Sequence, residues 1–200
     1  SGLNNSDIIL SIYSKDIFEW LFSVLNKKKY ISNILSIIYK ITYNHHGRYQ
    51  LVNKFDHSII YKHLIIHIED YISQVIMIFS KLSYNRNFRN YLIKKDILKY
   101  FKESYSKINI NIFNDCLLPF LENIDLQNDI IKIIIDIIDI YGLNDNLEII
   151  EYIITKWPNT KSEFDLIIPD FLPLTNDDNK KIKILSQLIG KDDKNCDPYI

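Results

Sequence analysis

Glycine and proline are scarce in this chain, at 4 and 5 residues of 200. Strands joined by tight turns need more of both. A turn-rich β protein is therefore excluded, and long uninterrupted helices are allowed. Cysteine is limited to Cys116 and Cys196. They lie too far apart for a ligand pattern and are too few for a disulfide framework, which makes a reducing compartment the default. Charges interrupt every isoleucine-rich run before it reaches the roughly 18 residues a membrane span requires. The first apolar run, Ile8 to Ile12, is short and lacks a basic flank, so no secretory signal is expected. The chain also lacks a phosphate-cradling glycine loop, a nucleophile elbow and a Cys–His pair of known spacing. Neither enzyme chemistry nor a cofactor is expected.

The hydrophobic fraction, 47%, is that of a folded chain, and the length suffices for a sizeable core. Heavy use of Ile, Asn, Lys and Tyr fits an A+T-rich genome and says nothing of function. The overall charge of −1 hides an asymmetry. Residues 1–107 carry 16 Lys and Arg against 8 Asp and Glu, whereas residues 108–200 carry 8 against 17. The chain is basic in its first half and acidic in its second.

A repeat organises the sequence. Tyr30-Ile31-Ser32 returns as Tyr71-Ile72-Ser73, 41 residues later. Lys40 then matches Lys81, Tyr43-Asn44 matches Tyr84-Asn85, Arg48 matches Arg89, and Leu51 matches Leu92. Where identity fails, apolar character persists: Ile34 with Val75, Leu35 with Ile76, Ile38 with Phe79, Ile41 with Leu82. A second echo, Lys15 to Leu21 with Lys95 to Phe101, lies 80 residues apart. A period near 40 in a helical sequence points to a solenoid of stacked repeats.

Along the chain, residues 3–12 read as a short helix. Ser14 caps a helix to Leu25 whose apolar face is Ile17, Phe18, Leu21 and Val24. Tyr30 to Tyr43 is a helix with a stripe of Ile31, Ile34, Leu35, Ile38 and Ile41, widened by Ile37. Asn44 to Gly47 breaks it, with Gly47 free to turn left-handed. Arg48 to Phe55 then reads as a short link and His57 to Ile68 as a helix. Tyr71 to Tyr84, a break at Asn85 to Asn87, and a helix from Ile97 to Tyr105 repeat the series. Lys107 to Phe113 alternates like a strand. It has no strand-like partner, so it reads as an irregular loop. Asp115 to Ile124 reads as a helix with Pro119 near its start. Asp129 to Tyr141 is strongly apolar, with Asp129, Lys132, Asp136 and Asp139 as one polar stripe. Gly142 is its cap, and Asn146 to Lys156 is a further helix. Residues 158–200 read as an extended proline-containing segment, a last helix and a charged tail.

Tyr30–Tyr61 and Tyr71–Phe101 resemble armadillo repeats. Both have a buried helix, a polar break, an arginine, two apolar positions and a third helix. Residues 113–157 fit more loosely. The family's glycine before the third helix is replaced by Lys54-Phe55 and Lys95-Asp96. HEAT repeats are a close relative of this pattern. The resemblance implies an all-α fold: a right-handed α-α superhelical solenoid of about four repeats over residues 1–157. It also implies a concave protein-binding face lined by third helices. The family's import adaptors present Trp and Asn on successive third helices. Here only Trp20 and Asn26 fit that pattern, so nuclear-signal binding does not carry over.

Several features allow a sharper reading. His63 and His67 have the i, i+4 spacing of a metal half-site, but Leu64 stands where a helical metalloprotease has its glutamate. They read as ordinary boundary histidines, and no metal site is expected. Tyr84 to Tyr91 interleaves cations and aromatics as a nucleic-acid surface does. Yet Arg89 occupies the repeat's arginine position, where bonding to helix-end carbonyls is expected, and Phe88 packs. The stripe at Asp129 to Asp139 reads as the wet edge of a buried helix.

The expected function is that of a non-enzymatic scaffold or adaptor in the cytoplasm or nucleus. It would bind a peptide or helix of another protein in the third-helix groove. Trp20, Tyr61 and Tyr100 are the candidate anchors. Lys62 and Lys99 would steer an acidic or amphipathic segment. Opposite charge in the two halves also permits salt-sensitive self-association. The alternative is a module that associates with nucleic acid or lipid through the basic half, with nucleic acid the less favoured partner.

Overall fold

Every regular element described in the chain is helical, and the reason lies in how its isoleucines are spaced. The computed structural model describes residues 14–141 and 146–157. The sequence readings for residues 3–12, for Gly142 and for 158–200 fall outside that range. None of the described helices is long and apolar enough to cross a membrane. By internal contacts the chain divides after Ile108 into two compact units.

In the first unit, α1 runs Lys15–Leu25 and a short 3-10 turn runs Lys28–Tyr30. Then follow α2 (Ile31–Tyr43), α3 (His45–Lys54), α4 (His57–Ile65), α5 (Ile68–Leu82), α6 (Arg86–Lys94) and α7 (Leu98–Ser104). Ser14 caps α1 by accepting the Ile17 N–H at 3.3 Å. The buried face of α1 is Phe18, Leu21, Phe22 and Leu25. That corrects the sequence reading: Ile17 is exposed and Val24 only half-buried. The i, i+3, i+4, i+7 set beginning at Phe18 buries three large side chains beside Leu21, so it turns inward.

In α2 the expected stripe of Ile31, Ile34, Leu35, Ile38 and Ile41 is buried. Each fully buried side chain of this kind contributes about 1.5–3 kcal/mol of transfer free energy. Ile37 lies outside the stripe and is exposed. The same face of α5, with Ile72, Val75, Ile76, Phe79 and Leu82, is buried too, and α2 packs along α5.

The two polar breaks are helix starts. Asn44 accepts the His46 N–H at 2.8 Å and caps α3. Asn85 accepts the Phe88 N–H at 3.0 Å and caps α6. Residues 48–54 are therefore helix, not link. Gly47 is helical rather than left-handed: a Cβ there would press into the Ile41 carbonyl oxygen, so this glycine is what lets α3 start so close to α2. The φ > 0 expected at Gly47 occurs instead at Asp96, where φ is 54°. That turn joins α6 to α7.

The copies also bend alike at their first residue. Tyr30 has φ −120° and ψ 1°. Tyr71, its counterpart, has φ −132° and ψ 39° and breaks α5 after its first turn. Gln74 ties the copies directly: its Nε2 donates to the Ser32 carbonyl and to the Ser32 hydroxyl oxygen, both at 3.3 Å.

The second unit begins with α8 (Ile110–Leu117), continued by 3-10 turns at Leu118–Glu122 and Ile124–Leu126. The strand-like alternation at 108–112 is misleading. Asn109 accepts the Asn111 N–H at 3.1 Å and starts a helix, which buries Ile110, Phe113 and Leu117 at i, i+3, i+7 and exposes Ile112. The α-helix stops at Leu117, and Pro119 sits in the first turn of the 3-10 segment that follows. It has no N–H to donate, and its ring crowds the preceding turn. Two further helices, α9 (Gln127–Tyr141) and α10 (Leu147–Lys156), complete the described residues. The stripe of Asp129, Lys132, Asp136 and Asp139 is exposed along α9, and Trp157 is buried behind α10.

Candidate functional site: a groove in the first unit

A groove of about 730 Å3 runs beside the junction of α4 and α5. One wall is apolar, built from Ile65, Ile66, Ile68 and Ile72, with Glu69 among them. The other carries Lys99, Tyr100 and Glu103 of α7, and Lys107 just beyond it. Ile66 is 62% exposed, an unusual position for isoleucine in a chain that buries most of them. It sits in the turn after α4, where the chain must reverse before α5, so no helix face is available to hide it. A second hollow of about 440 Å3 adjoins the first and shares Glu69, Ile72 and Lys107 with it.

The rim is balanced: two ammonium groups, Lys99 and Lys107, and two carboxylates, Glu69 and Glu103. Lys99 Nζ lies 4.7 Å from the Tyr100 ring centroid, a cation–π contact that holds both side chains at the edge. Ser73 is the one aliphatic hydroxyl lining either hollow. It donates to the Lys107 carbonyl at 3.0 Å, so its proton is committed and no base activates it. An apolar wall facing a mixed-charge rim suits an amphipathic segment: aliphatic side chains against isoleucine, polar ones toward Lys and Glu.

Of the residues singled out from the sequence, Lys99 and Tyr100 line this groove. Trp20 is exposed on α1, and Lys62 is exposed on α4. Neither is among the lining residues. Tyr61 is half-buried in an aromatic cluster. Its ring stacks on Phe79 with centroids 5.7 Å apart and planes 16° apart, and it meets Tyr91 edge-on at 5.8 Å. Burial pushes the Tyr61 phenol above its ordinary pKa, with Tyr100 and Tyr91 adding to the effect. Tyr61 thus packs α4 against α5 and α6. Ile65 and Ile66 escaped notice in the sequence because they continue an apolar run, whereas Ile68 and Ile72 are buried and only edge the groove. Only the turn between α4 and α5 turns the first two outward.

His63 and His67 are part of the packing. The His63 ring stacks on Phe22, with centroids 4.7 Å apart and planes 7° apart. His67 is 9% exposed, and its Nε2 has no hydrogen-bond partner. Burial pushes both imidazoles below their ordinary pKa. For His67, Asp70 pulls the other way and His63 reinforces the fall. Among the described residues, no three His, Cys, Asp or Glu side chains converge as metal ligands would.

Set against known proteins, the chain matches no protein-family model, no curated protein and no solved structure.

Proposed function

We propose that this chain is a non-enzymatic protein-binding scaffold built as an armadillo-like helical solenoid of about four repeats. Its binding site is the groove between Ile65–Ile72 and Lys99–Lys107. The observation that carries this reading is the groove itself: four isoleucines, one largely exposed, opposite a lysine-and-tyrosine wall. The repeat pattern supports the scaffold. Both copies have an asparagine cap, an arginine folded back on the preceding helix end, and a bent tyrosine at the start. The partner is the amphipathic segment of another protein, met in the cytoplasm or nucleus. Such a segment binds by apolar anchors at i, i+3 and i+4, and the rim charges fix its direction.

The test is selection from a library of helical peptides displayed against the wild-type chain and counter-selected on an Ile66→Asp/Tyr100→Ala variant. Backbone amide shifts of the chain then map the selected peptides. Enriched sequences with apolar helical spacing, shifting Ile65–Ile72 and Lys99–Lys107, support the reading. Peptides that bind both proteins equally, or that shift residues elsewhere, refute it.

A further inference from the structure

Away from that groove, at the corners where α2 meets α3 and α5 meets α6, the two copies place tyrosines and cations together. Tyr43 and Tyr84 are the same position of the repeat, each directly before the capping asparagine. They are 66% and 51% exposed. Lys81 Nζ lies 5.3 Å from the Tyr43 ring centroid and 6.0 Å from that of Tyr84. The Arg48 guanidinium carbon lies 5.3 Å from the Tyr84 ring. Tyr39 meets Tyr43 edge-on at 6.2 Å. The contacts cross from one copy to the other, so the corners form one continuous patch.

The two stretches that carry the patch are basic in sequence. Residues 20–55 hold six Lys and Arg and no Asp or Glu. Residues 71–95 hold five and none. Lys40 and Arg86, both exposed, flank the tyrosines with no carboxylate within either segment to neutralise them. Arg48 spends its hydrogen bonds on backbone carbonyls and keeps its positive charge. Among the described residues, Lys40, Lys81 and Arg86 enter no ion pair, and exposed aromatic rings beside such cations are the two elements that hold a single strand: rings stack bases and cations pair with phosphates. Tyr43 is the stronger platform. It is the more exposed ring and carries Lys81 beside it.

We infer that this corner binds single-stranded nucleic acid, by base stacking on Tyr43 and Tyr84 and phosphate pairing to Lys40, Lys81 and Arg86. The site is separate from the Ile65–Lys107 groove and does not depend on the scaffold reading.

The experiment is fluorescence anisotropy of the full chain with labelled oligo(U) and oligo(dT) of about 12 nucleotides, the scale of such sites. Wild type is compared with Tyr43→Ala/Tyr84→Ala, Tyr43→Phe/Tyr84→Phe and Lys40→Gln/Arg86→Gln, with folding of each checked by circular dichroism. Wild type should bind, with log Kd linear in log salt. The alanine pair should weaken binding roughly ten-fold or more, and the phenylalanine pair should retain it. The glutamine pair should weaken binding and flatten the salt slope by about one per lost phosphate contact. No binding at low salt overturns the inference. So does equal binding of heparin or phosphatidylserine vesicles that the alanine pair leaves unchanged, because charge alone would then account for it.

Discussion

Arg48 folds back over the end of the preceding helix and donates through Nη1 to the Thr42 carbonyl at 3.1 Å. The same nitrogen reaches the Tyr43 carbonyl at 2.8 Å. One period later, Arg89 Nη1 donates to the Ser83 carbonyl at 3.2 Å. A helix end leaves carbonyls without intrahelical donors, and a cation is the favoured partner there. The arginine thus fastens the second helix of each copy to the first.

Replacing Arg48 with alanine should cost about 1.5–3 kcal/mol, the range for hydrogen bonds that involve a charged group. Arg48→Lys should recover only part of this, because the planar guanidinium is pre-organised and loses less side-chain freedom per hydrogen bond than a flexible ammonium. Urea denaturation midpoints at constant slope measure both losses. Arg48→Ala within the error of wild type would show that water satisfies these carbonyls equally well.

Gly47→Ala should destabilise by about 2–3 kcal/mol, the scale of overpacking a closed site. The added methyl meets the Ile41 backbone oxygen, and Ile41 Cγ2 stands 2.8 Å away. Alanine is the better helix former, so propensity alone predicts a gain. The sign of the change in thermal midpoint therefore decides between local propensity and the tight corner.

Asp96→Gly should leave stability unchanged or slightly raised, whereas Asp96→Val should lose about 1–2 kcal/mol. With φ at 54°, a β-branched side chain clashes with its own backbone, and glycine does not. Calorimetric midpoints of the two variants provide the comparison. Equal stability would mean that the turn adjusts its backbone.

Acidification should destabilise the first unit in a window set by His63 and His67. Both imidazoles titrate below their ordinary 6.5 in the folded chain, chiefly because burial disfavours the charged form. The unfolded chain thus binds the protons first. The stabilisation is complete above pH 6.5 and is lost as pH falls through the lower folded values. A His63→Phe/His67→Leu variant should flatten the fall in denaturation free energy across that window. Asp56, lowered from 3.8 by hydrogen bonds from Ser58, acts only at more acidic pH. An unchanged slope in the double variant would place the sensitivity elsewhere.

Much of the fold is legible where one residue type repeats at one spacing. The Ile34, Leu35, Ile38, Ile41 stripe and its counterpart at Val75 to Leu82 face inward because each set shares one side of its helix. The role of Arg89 is legible for the same reason, since its position recurs. Boundaries are harder. Asn44 and Asn85 break one helix and begin the next, and an asparagine does either depending on where its side chain bonds. At Ile108 to Ile112 a local alternation competes with a cap at Asn109, and the buried positions of Phe113 and Leu117 decide in favour of helix. The groove is legible on one wall only. Lys99 and Tyr100 lie on a clear helix, while Ile65 and Ile66 owe their exposure to a turn that hydrophobic periodicity does not mark.

The bent tyrosines at the head of each copy have a further implication for how such a chain can change length. Tyr30 and Tyr71 leave the helical region in nearly the same way. A cut before Tyr30 and another before Tyr71 would release a cassette whose two ends carry the same backbone geometry. Such a cassette can be duplicated or deleted in the gene without forcing a new turn at the junction. The natural unit for lengthening or shortening this chain by design is therefore the span from one bent tyrosine to the next, rather than the single helix.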